Sequence, residues 1–145
     1  MKNKIRIAII VSSYHKSITD QLLKQCIATL KKKGVSEGQI TIVHVPGSLE
    51  IPLVAKRLAK KGVYSVIIVL GVIHKGETYH FELVANECAR GCMNVSLEYE
   101  VPIIFEVLAV YKLEDALERA TRRQENRGVE AALAALAIID SLARI

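Results

Sequence analysis

The residues best suited to chemistry lie in the segment 71–81, which reads GVIHKGETYHF. It follows an apolar run typical of a buried strand and precedes a long helical pattern. Thr78 is a suitable N-cap, so the free N–H groups of the first helical turn would point into this loop. Helix N-termini favour anions such as phosphate, and ligands bind at the carboxyl ends of strands in open α/β sheets. The segment therefore predicts an anion-binding site.

His80, in the first turn of the same predicted helix, adds a group that can transfer protons. The positive end of the helix dipole favours the neutral imidazole, whereas a bound phosphate would favour the imidazolium. Such a residue could take a proton before phosphate leaves and return one afterwards. A solvated residue at a helix start is the alternative interpretation. His74 is placed in the interior of the loop, without a role of its own.

Two further loops, at residues 12–16 and 46–50, should meet the segment 71–81 at one edge of the sheet. Tyr14 offers a ring for stacking, and Glu50 offers a hydrogen-bond acceptor at a helix start. Each residue has a structural alternative, because Tyr14 could cover a core edge and acidic residues are common in first turns. Their convergence on one edge favours a small-molecule site.

Four basic residues near the C-terminus could contribute to an anion site: Arg119, Arg122, Arg123 and Arg127. A fork-shaped guanidinium is a good partner for phosphate, although a solvated charged face is the default interpretation.

Alternating strands and helices must position these loops. Apolar runs rich in β-branched residues predict strands at residues 5–11, 40–45, 66–70 and 101–108. Helical spacing predicts helices from Ile18, Glu50, Thr78, Leu113 and about Val129. Right-handed crossovers then give an α/β fold, a three-layer α/β/α sandwich with a four-stranded parallel, flavodoxin-like sheet of order 2-1-3-4. We expect one domain over residues 1–145.

The last predicted helix contains AALAALAII at residues 131–139, which has no polar face. A helix that is apolar all round is buried on all sides. We therefore expect one side to pack on the sheet and the other on a neighbouring subunit, which predicts a homo-oligomer.

Composition limits the classes of protein. Hydrophobic residues make up 51% of the 145 residues, and the net charge is +5. The basic excess is scattered and lacks a reader motif, which argues against nucleic-acid binding. No apolar run approaches the roughly 20 residues that span a bilayer. The first residues, 1–4, lead directly into a strand without a signal-peptide pattern, so we expect a cytoplasmic protein with no membrane association.

The three cysteines, Cys26, Cys88 and Cys92, occupy apolar helical positions. Cys88 and Cys92 could form a metal pair with His80, but no zinc-type ligand set is complete. We expect small core residues and no metal.

Several motifs together resemble the lumazine synthase family: PGSLEIP at 46–52, the segment 71–81 with its KGETxHF core, VANE at 84–87, VPIIF at 101–105, LERA at 117–120 and NRG at 126–128. The resemblance spans nearly the whole chain. It implies condensation of 5-amino-6-(ribitylamino)uracil with 3,4-dihydroxy-2-butanone 4-phosphate to 6,7-dimethyl-8-ribityllumazine in riboflavin biosynthesis, without metal or organic cofactor.

The resemblance also implies site residues. His80 matches the acid–base histidine. Phosphate-binding positions are matched by Gly76, Glu77, Thr78, Arg119 from a neighbouring subunit, and Arg123 in the place of a lysine. Positions around the ribityl chain and the pyrimidine are matched by Tyr14, Ser48, Leu49, Glu50, Ile73, His74 and, from the adjacent subunit, Phe105. The family forms pentamers, often twelve of them closed into a 60-subunit icosahedral shell.

The sequence departs from the family pattern at a few of these places. Leu49 replaces an aromatic residue, His74 replaces an aliphatic one, and Glu106 follows Phe105 where a glycine is usual. A shell or scaffold protein with weak or lost activity is therefore the main alternative to the enzyme. An archaeal-type riboflavin synthase and a generic flavodoxin-like flavin binder are the others.

Overall fold

Four parallel strands form the centre of the fold: β1 (Ile7–Ser12), β2 (Ile40–Val45), β3 (Val66–His74) and β4 (Ile103–Val110). Their order is β2-β1-β3-β4, as predicted from the alternation of strands and helices. The structure is a computed structural model that describes residues 5–145. Residues 1–4, on which part of the localisation prediction rests, lie outside the described residues.

Five helices cover both faces of the sheet: α1 (Lys16–Lys32), α2 (Ile51–Ala59), α3 (His80–Tyr99), α4 (Leu113–Thr121) and α5 (Arg127–Leu142). Helices α1, α4 and α5 pack on one face, and α2 and α3 pack on the other. Two short 3₁₀ turns, Glu37–Gln39 and Ser48–Glu50, precede β2 and α2. The three-layer α/β/α sandwich is therefore confirmed.

The strands carry the core because successive side chains point to opposite faces and both faces are covered. In β1, Ile7, Ile9 and Val11 join the layer of α1, α4 and α5, whereas Ala8 and Ile10 join that of α2 and α3. Every residue of β1 is buried. The cysteines Cys26, Cys88 and Cys92 are free and buried in these cores, as expected. Burial raises the pKa of the Cys26 thiol to about 12.

Strand β3 is longer than predicted, since it continues through Gly71 to His74 instead of ending at Leu70. The extension exists because β4 pairs with it as far as His74, after β1 has ended its own pairing at Leu70. The placement of His74 inside a loop is therefore wrong, and the loop begins at Lys75. Strand β4 is displaced by two residues toward the C-terminus relative to its prediction, and Pro102 lies before it.

The starts of four helices also differ from their predictions, and α1 begins at Lys16 instead of Ile18. Helix α3 begins at His80 with Tyr79 at the N-cap, although the Thr78 hydroxyl accepts a 3.4 Å hydrogen bond from the His80 N–H. Helix α2 begins one residue after Glu50, which ends a 3₁₀ turn. Helix α5 begins at Arg127 because the Asn126 side chain accepts a hydrogen bond from the Val129 N–H.

Helix α5 is buried on one side only within the chain. Ala131, Ala132 and Ala135 are fully buried against the core, whereas Leu133 is 42% exposed. The expected packing of one side on the sheet is therefore confirmed, whereas the contact of the outer side with a neighbouring subunit stays a prediction. Among the helices of residues 5–145, none is long and apolar enough to cross a membrane.

Candidate active site

A cavity of about 660 Å³, here called the first cavity, opens at the carboxyl ends of β1, β2 and β3. The three loops expected to converge lie together there, because the backbone N–H groups of Ser13 and Tyr14 donate to the carbonyls of Val45 and Pro46 at 2.8 and 3.0 Å. The cavity is lined by nine predicted site residues: Tyr14, Ser48, Leu49, Glu50, Ile73, His74, Gly76, Thr78 and His80.

Gly71 lies beside Ser48, one of the residues that line the first cavity. A Cβ atom added at Gly71 would lie 2.8 Å from the Ser48 Oγ and 3.1 Å from the Ser12 Oγ, so glycine lets the two hydroxyls approach the strand. Both serines are buried, and neither hydroxyl has a hydrogen-bond partner among the described residues. Ser48 lines the cavity, and its hydroxyl oxygen is itself buried. Sequence reasoning did not single out Ser12.

Glu50 shapes the turn beside Ser48. Its Oε1 accepts a 2.9 Å hydrogen bond from the Gly47 N–H, and its side chain is exposed at the cavity. This bond occupies one carboxylate oxygen and leaves the second oxygen able to accept from a ligand.

His80 lies at the mouth of the cavity as the first residue of α3, and it is exposed. The preceding loop is fastened by Lys75, whose Nζ lies 2.8 Å from the Glu82 carboxylate and 5.6 Å from the ring centroids of Phe81 and Tyr111. The hydrogen bond to Glu82 raises the pKa of Lys75. Of the predicted phosphate turn, Gly76 and Thr78 line the cavity, whereas the exposed Glu77 does not.

Two histidines face each other on the wall of the first cavity. The rings of His15 and His74 are 6.3 Å apart, and the His15 ring lies 4.7 Å from Tyr14. The His74 Nε2 lies 3.1 Å from the Tyr111 carbonyl oxygen, which can only accept, so Nε2 carries a proton. Partial burial, and then the charge of His74, lower the pKa of His15.

His15 is a lining residue that sequence reasoning did not assign. It adopts a left-handed conformation, with φ at 60°, which is uncommon outside glycine and asparagine. This conformation turns the chain into α1 and places the ring beside the cavity. A histidine in a loop after a strand is the only sequence signal for it.

Phe105 and Arg119 do not line the first cavity. They line a separate one of about 330 Å³, here called the second cavity, between β4, α4 and the start of α5. The Arg119 Nη1 donates to the Asp115 backbone carbonyl at 3.0 Å. Arg123 is exposed and lines neither cavity.

The second cavity also contains an ion pair. The Arg127 Nε and Nη2 donate to the two carboxylate oxygens of Glu106 at 3.1 and 3.2 Å. Burial raises the pKa of Glu106, and the positive charge of Arg127 opposes that shift. Within residues 5–145, no group of three or more histidine, cysteine or acidic side chains could hold a metal ion.

An open parallel sheet with a cavity at its carboxyl edge defines a flavodoxin-like α/β fold, in which this edge is the usual position of a ligand site. Residues 4–143 match the family model described as 6,7-dimethyl-8-ribityllumazine synthase. The match covers nearly all 145 residues, so the chain belongs to that family, as its motifs predicted. The membership supports a lumazine-synthase-type function in riboflavin biosynthesis.

Proposed function

We propose that the protein is an active 6,7-dimethyl-8-ribityllumazine synthase of the cytoplasm. It condenses 5-amino-6-(ribitylamino)uracil with 3,4-dihydroxy-2-butanone 4-phosphate and uses no cofactor. The observation that carries the proposal is the first cavity, because it brings Ser48, Glu50 and His80 together from loops that are distant in sequence.

In this proposal the cavity orients the uracil substrate from both ends. The ribityl hydroxyls bind the free Ser48 hydroxyl and the Glu50 carboxylate, and the pyrimidine ring stacks on Tyr14. Backbone groups at Ile73 and His74, at the end of β3, meet the polar edge of the pyrimidine. A hydrogen bond from a ligand to the buried Ser48 oxygen is favourable because that oxygen has no other partner in the described chain.

The proposed chemistry consists of proton transfers around a carbon–nitrogen condensation. The amine adds to the ketone and loses water to form an imine, phosphate is eliminated, and the ring closes with loss of a second water. His80 accepts a proton before phosphate departs and returns one afterwards. The phosphate group lies at Gly76 and Thr78, beside the start of α3, where free N–H groups favour an anion.

The proposed site is completed by a second copy of the chain. Phe105 and Arg119, which would contact the substrates, lie outside the first cavity of their own chain. Two different sides of the chain expose large apolar residues. One carries Leu53, Leu83, Met93 and Leu97 on α2 and α3, and the other carries Phe105, Tyr111, Leu117 and Leu133 around β4, α4 and α5.

Contact between two unlike surfaces is head-to-tail, and head-to-tail contacts close into rings when the rotation permits. We therefore propose a homopentamer, with a 60-subunit shell as the larger possible assembly. Mass measurement by light scattering and negative-stain microscopy distinguish a pentamer from a closed shell. A monomer in solution would contradict the shared site.

The experiment that tests the enzyme is direct. Purified protein is incubated with both substrates, and formation of the lumazine is followed by its absorbance. We expect product and equimolar orthophosphate. The absence of product from a folded, assembled protein would refute the enzyme proposal and favour the second candidate, a shell or scaffold protein with weak activity. The buried Glu106 is the observation that favours this candidate, since it places a negative charge in the cavity of Arg119.

A further inference from the structure

Arg127 in the second cavity has all three of its guanidinium nitrogens occupied by carboxylates. Its Nε and Nη2 bind Glu106 at 3.1 and 3.2 Å, and its Nη1 lies 2.8 Å from the Glu130 carboxylate. The Glu106 interaction is bidentate, which is the strongest arrangement between these groups. Arg127 is 40% exposed, but each of its guanidinium nitrogens already contacts a carboxylate of the same chain.

Arg119 lines the same cavity in a different state. Its Nη1 donates to a neutral backbone carbonyl, that of Asp115, and the described part of the chain offers it no ion pair. Two arginines therefore line one cavity. Arg127 is neutralised by carboxylates, whereas Arg119 has no ion-pair partner in the described part of the chain. Only Arg119 is ready to bind an anion.

We propose that Glu106 is a specificity-determining residue that lowers the affinity of the second cavity for phosphate groups by neutralising Arg127. The inference rests on the proposed function only for the identity of the bound molecule. That molecule is either the butanone phosphate or the orthophosphate released from it. In the wild type, the anion binds Arg119 alone. Without the Glu106 carboxylate, it binds the guanidinium groups of both Arg119 and Arg127.

The burial of Glu106 makes this arrangement stable against an incoming anion. Glu106 is 8% exposed, so phosphate could displace it from Arg127 only by leaving a buried carboxylate without a counter-charge. Breaking a buried ion pair in this way is strongly unfavourable. The carboxylate is also held in place by the fold, so it competes with phosphate as an intramolecular ligand. A weaker phosphate site favours release of the product orthophosphate.

The test measures orthophosphate binding to the assembled protein by titration calorimetry. In Glu106→Gln the charge is lost and shape is kept, so we expect the Kd for orthophosphate to fall about tenfold. The matched control is Glu130→Gln, which removes the other carboxylate from Arg127 but leaves the bidentate pair, and we expect a change of at most about twofold. The double variant Glu106→Gln/Arg127→Gln should return to within about twofold of the wild type, since it removes both charges of the pair.

An unchanged or weaker orthophosphate affinity in folded Glu106→Gln would overturn the proposal. So would an equal gain in Glu130→Gln. If Glu106→Gln does not fold, Glu106→Met provides the same test, because Met removes the charge at similar length and Arg127 keeps its ion pair with Glu130. Thermal unfolding of each variant establishes that it is folded.

A kinetic arm distinguishes the two sources of phosphate. If the substrate's phosphate occupies the cavity, the KM for butanone phosphate falls in Glu106→Gln by about the same factor as the orthophosphate Kd. If the Kd for orthophosphate falls and the KM for butanone phosphate does not change, the cavity is assigned to orthophosphate. The outcome is separable from the proposed function, because a wild type without lumazine synthesis could still show the predicted calorimetric change.

Discussion

The two cavities differ in the charged groups that line them. The first is lined by hydroxyl, imidazole and aromatic groups, and its one lining carboxylate, Glu50, is exposed to solvent. The second holds two guanidinium groups, one of them in an ion pair with the buried Glu106. The first cavity is suited to orienting an uncharged heterocycle and moving protons, and the second to binding an anion. The proposed reaction needs both, and they are lined by different residues of one chain.

The separation of the two cavities determines how the proposed active site would be assembled. In the proposed assembly, Arg119 of one copy and His80 of another contribute to the same active site, because the two residues line different cavities of one chain. We expect a substitution in the second cavity to change phosphate affinity without disturbing the packing around Gly71 and His80. The following variants test this division of labour, in order of decreasing expected effect.

The largest effect is expected from His80→Ala in the first cavity. We expect kcat/KM to fall about 10²-fold, at the low end for loss of an acid–base group, because the substrate can supply part of the proton transfer. His80 is exposed at the start of α3, so the midpoint of thermal unfolding should stay close to that of the wild type. Lumazine absorbance gives the rate. A wild-type rate would remove His80 from the mechanism.

Arg119→Ala tests the second cavity. We expect a fall in kcat/KM of roughly 10- to 100-fold, mainly through a higher KM for butanone phosphate, because a charge-assisted hydrogen bond is lost. The control is Arg122→Ala, one residue beyond the end of α4, whose guanidinium pairs with Glu118 and with the Glu125 carbonyl. An equal effect of both substitutions would point to general electrostatics instead of a specific contact.

Mixing the two weakened variants sharpens the comparison. When His80→Ala and Arg119→Ala chains are unfolded and reassembled together, some interfaces combine an intact His80 from one chain with an intact Arg119 from the next. Random mixing in a ring makes this about one interface in four, so about a quarter of the wild-type activity should return. No recovery in a mixed assembly would show that the two cavities do not form one site.

Gly71→Ala should disturb the first cavity by displacing Ser48. The added methyl group would lie 2.8 Å from the Ser48 Oγ, which must therefore move, and 3.1 Å from the Ser12 Oγ, which is a tight contact. Overpacking of this kind costs about 1–3 kcal/mol, measurable by chemical denaturation. Adding Ser48→Ala removes the nearer contact and should recover part of the loss. An unaltered stability in the single variant would contradict the described geometry.

The smallest effect is expected from His15→Asn, which keeps a residue that tolerates the left-handed conformation but removes a titrating group. The pKa of His15 is lowered in the folded protein, by burial and then by His74. Its contribution to stability is therefore present above the ordinary histidine pKa of about 6.5 and is lost as the pH falls through the lower folded value. Thermal unfolding between pH 7.5 and 5 should show the wild type losing more stability than the variant. Parallel curves would show that His15 does not titrate as described.

Local sequence patterns determined most of the framework. Strand β2 has its predicted bounds, and the sheet order follows from strict alternation with right-handed crossovers. Nine predicted site residues line the first cavity because they lie at, or soon after, the carboxyl ends of parallel strands, which share one edge. The family assignment likewise came from motifs that are continuous in sequence.

Other features depend on contacts between distant residues, which periodicity cannot encode. Strand β3 reaches His74 only because β4 continues to pair with it there. Glu106 and Arg127 are 21 positions apart, and only the packing of α5 against β4 turns two scattered charges into a buried pair. The sequence determined which residues could do chemistry and the edge at which most of them meet. The tertiary structure decided which charges are neutralised and which predicted residues lie in a separate cavity, because burial and partner distance arise only when the layers pack together.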